Sequence, residues 1–561
     1  MALHYVILTC IVPYLTEKDK LHCMSTNKTM VSYKMNFKYY ATADYSKIKK
    51  LAYYNNFTNV SASTKIKKFP ASLKTLRISN GYNSEERIPE GVTYINITYP
   101  VRYVKNINSI VPSTLTHLEL CGNFNDSVDD LPETVTHLLL GPQFGKSVDH
   151  LPSGLLRLEV EGGFFCRSVD NLPRSLKILE IKSSSVRSFD KLPESLESLS
   201  IFTADNVSVN NLPRSLTNLV LEHWFNGDVD NLPPSLTNLE FGRQFNKKVD
   251  NLPQSLKYLT FDTNFDQSID NLPSTVSHLI FGVCFNQNIN RLPSSLTHLS
   301  FGESFNQNLV VQSKSVMPPG LQSLKFGSEF NKSIKCVLPE SLMCLQFGHN
   351  FDQEIYESVN EKIISFIPPF VTHLTMPCRR GRLCENCLPN SITHLSFLHG
   401  YFDQCIIMEN YIPQTVTHLS IAGAGGLKQR AIPSSVTHLT FGDHFNLPIK
   451  GALQHGVTDI YFGNNFNQPI KKCFPASVLS IGFGDGFNQP LYNFLPPNVT
   501  HLYFGHTFNQ NLWNCIPDSV VYLQLPRQHY SSLHGKKRYG KPRTHAPWYK
   551  ILPHVETLIL I

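Results

Sequence analysis

From Leu212 to Asn306 apolar and polar residues recur with a period of twenty and no slippage. With the Pro of each Leu-Pro pair numbered 0, apolar side chains fall at −1, +3, +6, +8, +12 and +16, as in Leu232, Leu236, Leu239, Phe241, Phe245 and Val249. The alternation at +6 and +8 predicts a short strand with one face inward. No apolar stretch in the unit has the length a helix needs, so each unit should be strand and turn. Gly at +9 (Gly242, Gly302, Gly327, Gly348, Gly442, Gly463, Gly505) is expected to take a positive φ and turn the chain off the sheet. The Asp-Asn-Leu-Pro segment is turn chemistry that returns the chain to the next strand.

A single unit cannot bury its own apolar face and must stack on its neighbours. The expected fold class is therefore a mainly β repeat solenoid of parallel strands, about twenty residues per coil. Units open at Pro70, Pro89 and Pro112 and continue to Pro517, with a last strand near Val555–Leu560. This places the solenoid over residues 66–526, a basic insertion over 527–550 and a terminal strand or cap over 551–561. Departures from the period near 307–317, 353–367 and 377–388 are expected to be loops leaving the body, where specificity concentrates.

Two polar positions also repeat. Asn at +13 recurs as Asn226, Asn246, Asn286, Asn306, Asn331, Asn446, Asn467, Asn488 and Asn509, with Asp266 and Asp352 in the same place. Beside a buried Phe at a bend, such a carboxamide can bond backbone groups of its own turn and of the neighbouring coil, which predicts a structural Asn ladder. His at +5 recurs as His117, His137, His278, His298, His373, His394, His418, His438 and His501. Strand alternation puts that column toward solvent as a stacked ladder, and mutual repulsion should hold its pKa values below the usual histidine value.

Other chemistry is sparse. Cys378, Cys384, Cys387 and Cys405 could complete a tetrahedral zinc site, although one Cys-x-x-Cys is a weak pattern and ordinary reduced thiols are the expectation. Lys536–Arg543 (KKRYGKPR) is a basic run suited to nuclear import or polyanion contact, and Arg379, Arg380 and Arg382 form a shorter cluster. No phosphate-cradling Gly loop, HExxH or nucleophile elbow is present. No catalytic residue, cofactor or enzymatic activity is expected.

The N-terminus breaks the pattern. Leu3, Ile7, Leu8, Ile11 and Leu15 lie at helical spacing, and Thr16-Glu17-Lys18-Asp19 could cap a second helix to about Met30. No basic segment precedes this apolar run and no clean cleavage site follows, so a secretory leader is not expected. Residues 1–45 are therefore expected to form a small α-helical module, with 46–65 a linker or irregular first coil. The segment ILTCIVPYLTEKDKLHCMSTNKTM, residues 7–30, resembles an F-box, although the Leu-Pro-x-Glu that usually opens the box is absent. The repeats resemble the FNIP repeat, a relative of the leucine-rich repeat. Its Phe-Asn-x-Pro core stands literally at Phe445–Pro448, Phe466–Pro469 and Phe487–Pro490. Proteins joining the two occur in amoebae and the large viruses that infect them.

The resemblance implies an adaptor. An F-box binds the Skp1 subunit of a cullin-based ubiquitin ligase while the attached repeats hold the substrate protein. Mapped here, the Skp1-facing residues would be Ile7, Leu8, Ile11, Pro13, Tyr14, Leu15 and Leu21. The alternative is a protein-interaction scaffold with no ligase link, which the missing Leu-Pro-x-Glu favours.

A net charge of +7 over 561 residues is too mild to argue for nucleic acid. Thirteen Cys without a framework point to a reducing setting, the cytoplasm or the nucleus, in a host cell for a viral protein. A monomer without membrane attachment is expected.

Overall fold

The computed structural model describes residues 38–63, 66–79, 87–98, 107–165, 167–183, 185–186, 188–203, 207–379, 381–398, 406–422, 425–512, 515–527, 555 and 557–560. The chain divides into two compact units, Met1–Asp262 and Thr263–Ile561, built from the same coil. In the first, successive strands from Ala43–Asp44 to Tyr258–Phe261 pair in parallel, each with the next. In the second, successive strands from His278–Ile280 to Thr557–Leu560 do the same, short insertions aside. The fold is a parallel β-solenoid of the leucine-rich-repeat type.

The register carries no offset, so each position meets its own equivalent one coil on. Leu219 lies beside Leu239 and Leu221 beside Phe241, and Leu395 beside Leu419. The strand occupies +5 to +8, as His117–Leu120 shows, with the even positions buried. Phe at +8 and +12 of one coil stack face to face: the Phe301 and Phe305 rings are 3.7 Å apart and Phe305 lies 6.1 Å from Phe330 of the next coil. Both columns are buried.

The turn at each coil's start is closed locally and braced from the coil before. The Leu216 N–H donates to the Pro213 carbonyl at 3.2 Å, an i to i+3 turn. Ser at +2 then donates across to the +3 carbonyl of the preceding coil: Ser215 to Leu196 and Ser235 to Leu216 at 2.7 Å, Ser295 to Val276 at 2.6 Å. These bonds satisfy carbonyls that lie outside the strand ladder.

The +9 glycines differ from the sequence expectation. Among the described residues positive-φ glycines are Gly91, Gly122, Gly381, Gly426, Gly451 and Gly456, none of them at +9. The column exists for close approach instead. A Cβ at Gly327 would stand 1.9 Å from the Gly302 carbonyl oxygen, one at Gly348 1.9 Å from that of Gly327, and one at Gly242 2.2 Å from the His223 nitrogen. At these glycines the coils leave the sheet backbone against backbone, and a side chain there would have no room.

The stack begins earlier than expected. Tyr39 bridges to Phe57, and Ala43–Asp44 pairs with Asn59–Ala62, which pairs with Thr75–Ile78. Residues 45–62 form an irregular coil, within the stretch expected as a linker or irregular first coil over 46–65. They carry the four-residue helix Tyr45–Ile48, capped by the Asp44 carboxylate on the Ser46 N–H at 2.7 Å, and a 3-10 turn at Tyr54–Asn56. Tyr39, Tyr45, Tyr54 and Phe57 are buried together, with Tyr39 and Phe57 rings 4.9 Å apart. Bulky aromatics here replace the aliphatic column of the later coils. Of the helical module expected over residues 1–45 only 38–45 are described, and they carry a bridge at Tyr39 and the strand Ala43–Asp44 before the short helix from Tyr45; all seven Skp1-facing residues lie outside the described residues. So does Lys536–Arg543.

Two of the expected loops are hairpins, Val310–Val311 with Lys314–Ser315 and Tyr356–Val359 with Lys362–Ser365. Each turns through two residues of positive φ, Gln312-Ser313 and Asn360-Glu361, the geometry of a type I′ turn. A separate parallel pair, Ile406–Ile407 with Gly426–Leu427, forms beside the main sheet. No helix among the described residues is long and apolar enough to cross a membrane.

Candidate functional site

The outward strand positions, +5 and +7, carry side chains that the solenoid does not use for its own core. In the first unit this face is charged. Arg157 bridges Glu159 at 2.5 Å and Glu180 of the next strand at 2.6 Å. Tyr94 donates to Glu119 at 2.6 Å, Asn96 donates to the same carboxylate, and burial first, then that bond, pushes the Tyr94 hydroxyl up to about 12.

In the second unit the face changes character. His373, His394, His418 and His438 stack in consecutive coils with ring centroids 4.2, 4.3 and 4.4 Å apart. They wall a groove of about 240 Å³ whose other side is Thr375, Ser396, Ser420 and Thr440. The groove is open along its length and smaller than a typical enclosed ligand pocket of roughly 300–1,000 Å³. It suits an extended segment laid along the stack better than a small molecule. Past it the columns turn aromatic, with Tyr461 lying over the next coil at Gly482, Tyr503 and Tyr522 rings 5.1 Å apart, and His501 stacked on Tyr522 at 5.6 Å. Tyrosine is a residue type enriched in protein interfaces.

The structure places the remaining histidines of the column in the same way. His117 stacks on His137 at 4.2 Å and His278 on His298 at 4.3 Å. Each ring is also held by the preceding residue: the Thr116 hydroxyl lies 2.9 Å from His117 Nδ1, and the Ser277 hydroxyl 3.0 Å from His278 Nδ1. Thr116 stands as well 2.9 Å from the Thr93 carbonyl oxygen of the previous coil. Two oxygens that close repel unless a proton lies between them, so the single hydroxyl proton goes to the carbonyl. The hydroxyl oxygen then accepts from Nδ1–H, and the neutral ring carries its lone pair on Nε2. A partner meets that nitrogen as an acceptor, and as a donor once the ring is protonated.

His137, His278, His394 and His418 sit below the ordinary histidine value. The leading cause is partial burial within the stack. Repulsion from the neighbouring ring, the cause expected from the sequence, comes second.

Asn at +13 lies on the other side of the coil. Each carboxamide oxygen accepts the backbone N–H of its counterpart one coil on: Asn226 from Asn246 and Asn286 from Asn306 at 2.9 Å, Asn306 from Asn331 at 3.0 Å, Asn331 from Asp352 at 2.9 Å. Asn446, Asn467, Asn488 and Asn509 continue the series. Gln at +14 adds a second donor, as Gln307 to Asn286, Gln468 to Asn446 and Gln489 to Asn467, all at 3.0 Å. The Ser and Gln ladders were missed in the sequence reading; their signal was the recurrence of Ser at +2 and of Gln after Asn.

The two remaining clusters are described only in part. No three His, Cys, Asp or Glu among the described residues could hold a metal, and Cys405 lies outside them. Cys378 and Cys387 are buried and Cys384 half-buried. Arg379 donates to the His349 carbonyl at 2.7 Å, and Arg382 pairs with Asp352 at 3.1 Å and Glu354 at 3.7 Å. These two arginines tie their coil to the preceding one instead of offering a basic patch; Arg380 lies outside the described residues.

Comparison with curated proteins finds no match. Among solved structures the chain is similar to CroV588, whose crystal structure is described as a novel circular LRR protein structure. The identity is 30%, with 90% of this chain and 82% of that chain covered and a TM-score of 0.66. YopM from Yersinia enterocolitica WA-314 covers 83% of this chain and 86% of its own at 16% identity, with a TM-score of 0.36, too low to carry an argument. Repeat solenoids of this kind are typically binding proteins rather than catalysts. The FNIP Repeat family model matches residues 205–244, 245–284, 285–329, 330–379, 383–423, 426–465, 449–486 and 487–528, more than half of the chain, and the chain belongs to the FNIP repeat family.

Proposed function

We propose that this protein is a non-enzymatic binding scaffold that holds an extended segment of a partner protein along the outward strand face, centred on the groove of His373, His394, His418 and His438. The observation that carries the reading is the division of labour within each coil. The +3, +6 and +8 positions are apolar and buried from coil to coil, while most side chains at +5 and +7 are polar and at least partly accessible, Asn96 and Ser480 excepted. A stacked imidazole wall facing a row of hydroxyls supplies hydrogen-bonding groups at the strand spacing of roughly 4.8 Å. Charged substitutions in the groove test this. Proximity labelling with the full chain against Ser420→Arg and Ser396→Arg should lose a common set of partners. An unchanged set would show that the groove takes no part.

The finer reading is a substrate-recognition subunit of a Skp1–cullin–F-box ligase, working in the cytoplasm or nucleus. Its support is the F-box-like segment 7–30. Capture by Skp1, lost on Leu8→Asp or Leu15→Asp, would favour it. Absence of capture leaves a scaffold with no ligase link.

A further inference from the structure

We infer that Cys384 and Cys387 form a redox-active dithiol that a peroxide closes to a disulfide. This inference is independent of the partner-binding reading. Residues 384–387 make a tight turn: the Cys387 N–H donates to the Cys384 carbonyl at 3.4 Å, and Asn386 at the third position has φ +62°. With Glu385 not in the left-handed region this is a type II turn, whose end Cα atoms lie within about 7 Å. Disulfides need Cα atoms about 4.4–6.8 Å apart. The Cys387 sulfur folds back over the turn, 3.2 Å from the Cys384 N–H. The turn thus already sets the two residues within disulfide-forming reach along the backbone.

The two sulfurs are unequal in a way that orders the steps. Cys384 is half-buried and reachable. Cys387 is fully buried, and burial pushes its thiol up to about 12. Thiolate is the attacking species, so Cys384 reacts first. Its thiolate attacks one peroxide oxygen, the O–O bond breaks, and hydroxide leaves with the proton of the original thiol to give water. The resulting sulfenic acid is then attacked by the Cys387 sulfur. The S–O bond breaks, the S–S bond forms, and the departing hydroxide takes the Cys387 proton. Two thiols and one hydrogen peroxide give one disulfide and two waters.

The chain cleaves conveniently for the test, because Glu385 lies between the two cysteines. Full-length protein is treated with hydrogen peroxide, alkylated, and digested with a glutamate-specific protease. The expected result is that the peptides carrying Cys384 and Cys387 stay joined until reduced, while exposed Cys284 and Cys344 enter no disulfide. The inference is overturned if both residues remain alkylated at a peroxide dose that consumes Cys284 and Cys344, or if Cys387 is joined to Cys378 or Cys405 instead. In Cys387→Ser the reaction should stop at sulfenic acid, raising dimedone labelling of Cys384 several-fold over wild type. Should that variant fail to fold, the wild-type linkage decides alone.

Discussion

Replacing Gly327 by Ala adds one methyl group where there is no room. The new Cβ would lie 1.9 Å from the Gly302 carbonyl oxygen, 2.3 Å from its carbon and 2.7 Å from the Glu303 Cα. All three are backbone atoms, so no rotamer change relieves the clash; the coils must separate by more than an ångström. Overpacking costs about 1–3 kcal/mol even where side chains can adjust. Separation also stretches the Glu329 N–H to Glu303 bond of 2.9 Å and the Asn331 N–H to Asn306 Oδ1 bond of 3.0 Å, each worth about 0.5–1.5 kcal/mol. The combined loss is about 2–6 kcal/mol, at least roughly thirtyfold in local opening at about 1.4 kcal/mol per tenfold. Long repeat arrays need not unfold in one step, so the measurement is hydrogen exchange of the strands Ser323–Lys325 and Cys344–Gln346. Gly320→Ala is the control, because nothing lies within 4 Å of the added atom. Gly327→Asn separates the two explanations of the column. A residue tolerant of positive φ would rescue a conformational glycine and would worsen a steric one. Exchange within about threefold of wild type in Gly327→Ala would refute the close-approach argument, and so would rescue by Asn.

Three further outcomes are expected. Asn306→Leu leaves the Asn331 N–H without its acceptor and should cost about 1–3 kcal/mol, read as faster exchange of that amide, whereas Asn306→Asp keeps the acceptor, as Asp266 does for Asn286. Because folding lowers the pKa of His394 and His418, protonation favours the unfolded chain; stability is fully present above the ordinary value of 6.5 and falls as pH drops below it, and His394→Gln with His418→Gln should flatten the slope between neutral pH and about pH 5. In protein with 15N-labelled histidine, His117 should show the Nδ1–H tautomer, kept in Thr116→Ser and lost in Thr116→Val; a neutral Nε2–H ring in wild type would sink the hydroxyl argument.

The coil was legible because its determinants are local and repeated. Leu239, Phe241 and Phe245 fix which face is inward, and twenty-residue recurrence fixes the register. The Asn column was legible in type, since a polar residue after every buried Phe has few physical uses. The +9 glycine was misread because sequence shows a residue without a side chain, not whether φ or crowding demands it; only the neighbouring coil decides. The hairpins at Gln312-Ser313 and Asn360-Glu361 escaped because their turns lack the Asn-Gly or Asp-Gly signal, and positive φ there is imposed by strand pairing. The groove was half legible. The His column was visible in the spacing, whereas the hydroxyl wall of Thr375, Ser396, Ser420 and Thr440 reads as filler until the strands are aligned.

The ladders also explain why such a face is available to selection. Ser at +2 and Asn with Gln at +13 and +14 brace one coil against the next, while Leu and Phe fill the interior. The bonds holding the strands together at +5 to +8 are backbone bonds, indifferent to side-chain identity. A substitution at +5 or +7 therefore removes little stability, as substitutions at accessible positions generally do. The consequence is visible within one chain: Arg157, Glu159 and Glu180 occupy these columns in one unit, and His394, His418, Tyr461 and Tyr503 in the other, on coils of the same construction. Where the scaffold is held by other positions, the face is free to carry side chains that folding does not require. The four stacked imidazoles of His373, His394, His418 and His438 on consecutive coils are such a set, and the proposed binding role rests on them.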